Sequence, residues 1–227
     1  MLDNAEALLS FRFHYSYRFF RRARVGVSHK TVYMWIKKYV KLMQNYVEKI
    51  VPNLSDTWRA DELYIKIKGN MKYLFALMDD ETRFWIAQEV AESKYKHNAR
   101  ELFQLGVKAT GKKPMILITD GLPAYHDAYK KEFWTMRKDT RTEHVNAIKL
   151  SGDMNNNKME RFNGEIRDRE KTMRGLKKTD TPILKGYQLF HNYIRGHEGL
   201  EGKTPGGSVR YQNRRKKQVD NPNTECQ

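Results

Sequence analysis

A short run that is apolar on both faces is the feature that most constrains the fold of this chain. Met115 to Ile118 reads MILI, and the run lies between Pro114 and Gly121. A strand of this kind suits the centre of a sheet that helices cover on both sides. The chain is therefore expected to build an α/β domain around this strand.

The pattern before and after the run supports that fold class. Gly69-Asn70 supplies a turn between two strands, and a second turn at residues 79–82 precedes a third strand over Arg83–Val90, which together predict an antiparallel meander. The further expected elements are helices over 94–108 and 124–133, a weak strand at 145–148, a helix around Glu160, and a last amphipathic helix with Ile183, Tyr187, Phe190 and Ile194 in phase. This order fits a ribonuclease-H-like domain with a mixed sheet.

Charge indicates the class of partner. The 227 residues contain 43 Lys and Arg against 27 Asp and Glu, a formal net charge of +16. An excess of this size is typical of nucleic-acid binding, although a basic solvated surface is the plainer alternative. The single cysteine, Cys226, excludes a disulfide framework and fits a reducing compartment. No apolar run approaches the roughly 20 residues of a membrane span, so we expect a cytoplasmic, nucleoid-associated protein with no membrane partner.

Asp61 is the first candidate site residue, because its place on a strand is unusual for a carboxylate. In the alternating segment ADELYIKIKG, Asp61 shares a face with the apolar Leu63 and Ile65, whereas Glu62 shares the other, wetter face with Tyr64. A carboxylate on an apolar face is costly unless it is paired or holds a metal. The alternative for Asp61 is a buried salt bridge with Lys or Arg.

Asp120 and Glu160 are the second and third candidates. Asp120 follows the buried strand, and ligands in open α/β sheets bind beyond the carboxyl ends of strands. The alternative for Asp120 is to cap the next helix. Glu160 shares one helical stripe with Asn156, Asn163 and Arg167, beside an apolar stripe that includes Met159. The alternative for Glu160 is an ordinary surface position.

Three segments together resemble the DDE transposases of insertion-sequence family six and their archaeal relatives, which have a retroviral-integrase-type core. They are WRADELYIKIKG, the strand ending ITDG, and NNNKMERFNGEIRDREKTMRGLK, and the resemblance covers roughly residues 10–210. It implies that Asp61, Asp120 and Glu160 form a catalytic triad that binds two Mg²⁺ ions, with Mn²⁺ as an alternative. Arg167 and Asn156 are then expected to contact DNA.

The resemblance implies a function with two alternatives. The expected function is a DNA transposase that binds transposon ends, cuts strands and joins 3′ ends to target double-stranded DNA. The alternatives are a catalytically inactive DNA-binding relic or repressor, and a structure-selective nuclease of the same fold. Holding two ends together implies a homodimer or a higher assembly on DNA.

The N-terminal region is expected to form a separate all-α module. Residues 1–50 are assigned to a basic helix-turn-helix, 51–56 to a linker, 57–210 to the catalytic domain and 211–227 to a basic disordered tail. Ser28 is a good N-cap for the second helix. The expected buried stripe of that helix is Val32, Trp35, Ile36, Tyr39 and Val40, and the expected DNA contacts are His29, Lys30, Tyr33 and Lys37. The alternative is a basic helix that packs on the catalytic domain.

Some positions depart from the family pattern. The helix before Gly26 is short and rich in arginine, Gly196 stands where a proline usually precedes the motif's histidine, and residues 206–208 read GGS where a short helix is usual. These departures suggest a drifting copy. His191 and His197 have no partner at zinc-ligand spacing and are expected to pack or to face DNA.

Overall fold

A five-stranded mixed sheet forms the centre of the computed structural model, which describes residues 26–146, 156–172, 176 and 182–213. Its strands are β2 (Thr57–Ile67), β3 (Asn70–Asp79), β4 (Trp85–Ala91), β5 (Ile116–Thr119) and β6 (Glu143–Asn146), in the spatial order β4-β3-β2-β5-β6. β3 runs antiparallel to β2 and β4, whereas β5 and β6 run parallel to β2. The expected meander and central strand are confirmed.

Helices cover both faces of this sheet. They are α1 (His29–Val47), α2 (Lys96–Thr110), α3 (Pro123–Glu132), α4 (Asn157–Thr172) and α5 (Pro182–Tyr193). One apolar cluster joins α1, α4 and α5 to the face of β2 that carries Leu63 and Ile65, and a second joins α2 and α3 to the face that carries Trp58. Leu117 and Ile118 are fully buried, as expected for a strand covered on both sides. No helix in the described residues is long and apolar enough to cross a membrane.

Side chains of α5 cover the free edge of the sheet at β4. The Asn192 side chain accepts a hydrogen bond from the Trp85 backbone N–H at 2.8 Å and donates one to the Trp85 carbonyl at 3.0 Å. Gln188 donates to the same carbonyl at 2.9 Å. These bonds satisfy backbone groups that would otherwise invite pairing with another strand.

The linker expected at 51–56 is wrong. Ile50–Asn53 forms strand β1, which pairs antiparallel with β7 (Arg210–Asn213). Leu54 is buried, and the Ser55 backbone and hydroxyl both donate to Asp79. The same pairing corrects the start of the expected tail, because 211–213 belong to a strand, while 214–227 lie outside the described residues. The segments that flank the catalytic region are thus tied to each other.

Helix α1 packs on the catalytic domain. The Ser28 hydroxyl accepts from the Thr31 N–H at 3.2 Å, which confirms the N-cap. Val32, Ile36 and Val40 are buried in the same cluster as the sheet and α5. Tyr39 was expected in this stripe but is exposed. α1 itself therefore matches the alternative given above, a basic helix that packs on the catalytic domain. The rest of the expected helix-turn-helix lies in residues 1–25, outside the described residues.

The glycines that depart from the family pattern lie where the backbone is crowded. A Cβ at Gly196 would sit 2.4 Å from the Gly202 carbonyl oxygen, so no other residue, proline included, fits without moving the loop. A Cβ at Gly206 would sit 2.7 Å from the Asn192 carbonyl oxygen. Gly206–Ser208 also forms a short 3-10 helix. Close backbone packing therefore favours glycine at both positions.

The two histidines of the C-terminal region are packing residues. His191 and His197 are 2% and 7% exposed, and their rings meet edge to face at 4.6 Å between centroids. His191 Nε2 lies 2.9 Å from the Arg83 carbonyl oxygen. Burial lowers the pKa of His191 to about 3 and that of His197 to about 4. Both imidazoles are therefore neutral core groups near pH 7.

Replacing Gly196 should destabilise the fold. We expect Gly196→Ala to lower the free energy of unfolding by about 1–3 kcal/mol, because its Cβ would press on the Gly202 carbonyl. Gly164→Ala is the matched control: it lies inside α4 with no atom within 4 Å of its Cβ position, so it should stabilise by about 0.5–1 kcal/mol. Urea unfolding followed by circular dichroism measures both, and equal stability of the two variants would contradict the close approach at Gly196.

Candidate catalytic site

Strand pairing brings two of the expected acids side by side. The parallel register of β2 and β5 ends at the pair Ala60 and Thr119, so Asp61 and Asp120 are the next residues on neighbouring strands. β2 continues past this point, and β5 ends there. The two carboxylates therefore meet at the carboxyl end of the central strand, where an α/β sheet leaves room for a ligand.

A third carboxylate joins them. One carboxylate oxygen from each of Asp61, Glu62 and Asp120 lies within 4.8 Å of the other two. Asp61 is 8% exposed, while Glu62 and Asp120 are half-buried residues. Carboxylate oxygens are the ligands that Mg²⁺ prefers, so this group can hold a divalent cation.

The prediction that Glu62 lies on a solvent-exposed face of β2 is wrong. Its side chain is only 3% exposed, and one carboxylate oxygen accepts a hydrogen bond from Lys94 Nζ at 2.7 Å. Alternation along β2 does put Glu62 on the face opposite Asp61, but α2 and α3 cover the adjoining part of that face, at Trp58 and Ala60. The adjacent acidic pair Asp61-Glu62 was the sequence signal for this third carboxylate.

The environment of Asp61 disfavours its charged form. Burial, followed by the charges of Asp120 and Glu62, raises the pKa of Asp61 from 3.8 to about 7. The Glu62 N–H and Asn156 act in the opposite direction but do not compensate. Among the described residues no Lys or Arg bonds to Asp61, which argues against the buried salt bridge. The cluster therefore needs a proton or an external cation near neutral pH.

Two asparagines of α4 hold Asp61 in place. Asn156, just before the helix, and Asn163 within it donate to the same oxygen, Asp61 Oδ2, at 3.1 and 2.9 Å. The Glu62 backbone N–H donates to the other oxygen at 2.8 Å. Asn156 is 9% exposed and bonds to Asp61, and its expected contact with DNA stays a prediction. Asn163 is a positioning residue that its place on the Glu160 stripe could have revealed.

Glu160 lies on the same side of α4 as these asparagines. It follows Asn156 by four residues and precedes Asn163 by three, so the helical spacing directs it toward Asp61. Glu160 is nevertheless exposed and does not belong to the group of oxygens within 4.8 Å. Arg167, two turns further along, is also exposed.

An ionic network fixes the start of α4 against the sheet. Lys158 Nζ donates to the carboxylate and the carbonyl of Asp80, at 2.8 and 3.0 Å. The same carboxylate oxygen pairs with the fully buried Arg59, two residues before Asp61 on β2. Burial acts to raise the pKa of Asp80, but the bonds and charges of Lys158 and Arg59 together outweigh it and lower that pKa. Lys158 and Arg59 thus connect the Glu160 helix to the Asp61 strand through one charged group.

Asp120 also makes a local hydrogen bond. Its Oδ1 accepts from the Leu122 N–H at 3.1 Å, in the turn before α3 begins at Pro123. The N-cap of α3 is Leu122, with no side-chain cap bond, so the expected capping alternative is wrong. Asp120 instead belongs to the acidic cluster.

The residues expected to contact DNA from the N-terminal region lie on one side of α1. Lys30, Tyr33 and Lys37 are exposed, and Lys37 Nζ lies 5.7 Å from the centre of the Tyr33 ring. His29 is the first residue of the helix, and its side chain is outside the described part of the chain. The exposed face points away from the buried Val32 stripe.

The known proteins that this chain resembles in sequence are transposases of insertion sequences. The DDE domain family of IS240-type transposases matches residues 55–197, more than half of the chain. A Staphylococcus aureus protein described as the transposase for insertion sequence-like element IS431mec is 28% identical over 204 residues, covering 84% of this chain and 83% of that protein. The S. aureus transposase for insertion sequence element IS257 in transposon Tn4003 matches with the same identity and coverage.

Solved structures share the fold. The HTLV-2 integrase catalytic core domain in complex with magnesium superposes with a TM-score of 0.50 at 18% identity, over 69% of this chain and 95% of that chain. A chain of the simian T-cell lymphotropic virus intasome in complex with PP2A regulatory subunit B56 gamma gives a TM-score of 0.52 at 16% identity, over 69% of this chain and 54% of that chain. The expected ribonuclease-H-like, integrase-type core is confirmed. The family match and the acidic site at the end of the central strand together show that this chain belongs to the DDE transposases of insertion sequences.

Proposed function

We propose that this protein cuts the ends of a DNA element and joins their 3′ ends to target DNA. The main support for this proposal is the environment of the Asp61 carboxylate. This buried carboxylate lies against two others, and among the described residues it has amide partners in place of a cation. In a DDE transposase, such a site is suited to bind divalent cations and, through them, a DNA phosphate.

The donor set fits two Mg²⁺ ions, with Mn²⁺ as the alternative. Asp61 and Asp120 would hold them together with Glu160, which approaches from α4, and the nearby Glu62 adds negative charge that Lys94 partly neutralises. When bound, such ions would activate the attacking oxygen and stabilise the leaving oxygen of a phosphoryl transfer. Carboxylates on a rigid sheet and an anchored helix keep these ligands in a fixed relation.

The surrounding residues position the acids and the DNA. Asn156 and Asn163 orient Asp61, and the Lys158–Asp80–Arg59 network keeps α4 over β2. Arg167 lies beyond Glu160 on the exposed part of α4, where its guanidinium can contact a DNA phosphate. The protein thus offers a negative centre beside a positive surface, as a site for a polyanion requires.

The proposed chemistry proceeds in two transfers. In cleavage, a water oxygen bonds to the phosphorus, the bond from phosphorus to the 3′ oxygen breaks, and a 3′-hydroxyl is released. In joining, that 3′-hydroxyl attacks a phosphodiester of the target, which releases a new 3′-hydroxyl there. A nuclease of this fold would perform the first transfer alone, and an inactive DNA-binding relic would perform neither.

The exposed side of α1 supplies further DNA contacts. Lys30, Tyr33 and Lys37 form a basic surface on a helix whose other side is anchored in the catalytic core, and His29 is the residue at which that helix begins. Because two element ends must be held together, we propose a homodimer as the smallest active unit on DNA.

Removing any one acid of the proposed triad should abolish strand joining. We expect Asp61→Asn, Asp120→Asn and Glu160→Gln each to reduce cleavage and joining of end-containing DNA in Mg²⁺ by at least about a hundredfold. DNA binding and the circular dichroism spectrum should be kept, because the surrounding packing is unchanged. Denaturing gels that resolve cleaved and joined strands measure both transfers.

Glu62→Gln is the matched control for these variants. The Glu62 charge is already paired with Lys94, so its loss should cost about tenfold or less. If Glu62→Gln were inactive while Glu160→Gln kept its activity, Glu62 would replace Glu160 as the third acid. Cleavage by the wild type without joining would favour the nuclease, and DNA binding without either reaction would favour the relic.

The acidic cluster should cost stability that a cation restores. The folded-state pKa of Asp61 is raised to about 7 from 3.8, so its contribution to stability is full below the unfolded value and is lost as pH rises through about 7. Without metal at about pH 8, Asp61→Asn should therefore be more stable than the wild type by about 2 kcal/mol, and the difference should vanish near pH 4. Mg²⁺ should raise the melting temperature of the wild type far more than that of the variant.

Thermal unfolding with and without Mg²⁺ at both pH values measures these effects. Asp127→Asn, on the exposed side of α3, is the control for loss of a negative charge away from the site. Equal stabilisation by Asp61→Asn and Asp127→Asn would show that general charge, and not the cluster, limits stability.

Binding to end-containing duplex DNA should depend steeply on salt. Each phosphate neutralised by Lys or Arg contributes about −0.9 to the slope of log affinity against log salt concentration, and about six or more contacts are expected for so basic a chain. The double variant Lys30→Gln/Lys37→Gln should reduce the magnitude of that negative slope by about two. Analytical ultracentrifugation over a salt series gives the slope and the stoichiometry together. A flat series would contradict DNA as the substrate, and one protein chain per DNA end without bridging would contradict the homodimer.

A further inference from the structure

An aromatic pair with a lysine lies next to the acidic cluster, on the opposite face of β2 from Asp61. Tyr64 on β2 and Tyr73 on β3 are directly paired across the strands, and their ring centroids are 4.7 Å apart. Lys94 Nζ lies 5.2 Å from the centre of each ring. We refer to Tyr64, Tyr73 and Lys94 as the tyrosine platform.

The tyrosine platform is connected to the acidic cluster. Glu62 precedes Tyr64 by two residues on the same face of β2, so their Cα atoms are about 7 Å apart. Lys94 bridges the two features, since the same ammonium group bonds to Glu62 at 2.7 Å. A DNA strand with a phosphate at the acids would pass the platform within about two base steps.

Exposure distinguishes Tyr64 from a packing residue. Cross-strand aromatic pairs often stabilise sheets, which accounts for the contact between the rings. It does not account for Tyr64 remaining 46% exposed. Lys66, next along the same face, and Lys96, at the start of α2, are exposed as well. An open aromatic ring among lysines matches the chemistry of a base and its phosphates.

We propose that Tyr64 stacks an unpaired base of the DNA strand that occupies the acidic site, with Tyr73 supporting its ring and Lys94 facing the adjoining phosphate. Paired bases inside a duplex present no free face to a side chain, so the occupant must be frayed or single-stranded next to the bond that is cut. The inference rests on the proposed action on DNA and adds a specificity for ends with unpaired nucleotides.

The test compares a blunt DNA duplex with the same duplex carrying a short single-stranded overhang that contains a fluorescent adenine analogue whose emission falls on stacking. The wild type should bind the overhang duplex about tenfold more tightly than the blunt one and should quench the analogue. Tyr64→Leu should lose both effects, because it keeps apolar bulk without a ring. Tyr64→Phe should retain both. Tyr46→Leu, at an exposed tyrosine on α1, is the control and should behave as the wild type.

The outcomes separate this inference from the proposed function. Binding of both duplexes with equal affinity and without quenching would overturn the tyrosine platform and leave DNA cleavage standing. A Tyr64→Leu variant that kept the overhang preference would overturn it too, even if its cleavage were slow. Failure of the wild type to bind either duplex would remove both proposals.

Discussion

Repulsion among buried carboxylates is the constraint on which this structure depends. The parallel register of β2 and β5 forces Asp61 and Asp120 into neighbouring positions, and Glu62 adds a third negative charge within 4.8 Å. Burying charges of one sign opposes folding unless polar groups or cations compensate. The neighbouring elements supply that compensation only in part: Asn156 and Asn163 give Asp61 hydrogen bonds without charge. The fold therefore holds its acids in a state that a divalent cation would relieve.

Opposite charges also hold α4, the helix that carries Glu160, in place. Lys158 and Arg59 share the Asp80 carboxylate, so a cation from α4 and a cation from β2 meet on one anion. The apolar side of α4 packs into the sheet through Met159 and Phe162. The ionic contact fixes the start of the helix, and the Asn163 bond to Asp61 fixes its middle. Glu160 is thereby held on the side of α4 whose asparagines bond to Asp61, and it remains exposed.

Local pattern predicted more of the fold than of the site. The apolar run at 115–118 and the turn at Gly69-Asn70 were sufficient for the central strand and the meander, because both signals are local. Alternation correctly put Asp61 against the core. It failed for Glu62, since a strand pattern does not show which stretch of the second face a helix will cover. The helical stripe that holds Asn156 was predicted too, but its hydrogen bond to Asp61 on β2 is a tertiary contact that no local pattern shows.

The supposed linker shows a further limit of local pattern. Pro52 and Asn53 indicate a break in secondary structure. They nevertheless belong to β1, which pairs with β7 at the far end of the described chain. The sequence around residue 52 does not indicate that its partner is residue 211. The pairing has a consequence for function. With β1 fixed and the Val32 side of α1 buried in the core that also holds Met159 of α4, the exposed basic side of α1 has a set orientation to the acidic site. The distance from this side of α1 to the acids is therefore fixed by packing and not by a flexible tether.

Two glycines that depart from the family pattern lie in crowded parts of the fold. Departures from a family pattern suggest decay when the replaced residue leaves a gap or an unsatisfied group. Gly196 and Gly206 do the opposite, since each lies where a carbonyl oxygen leaves no room for a side chain. The acidic cluster points the same way: an unrelieved cluster opposes folding, and exchange of one acid for an amide would remove that cost at once. A fold that keeps all its acids, with amides and an ionic network arranged around them, is physically organised for catalysis more than for DNA binding alone.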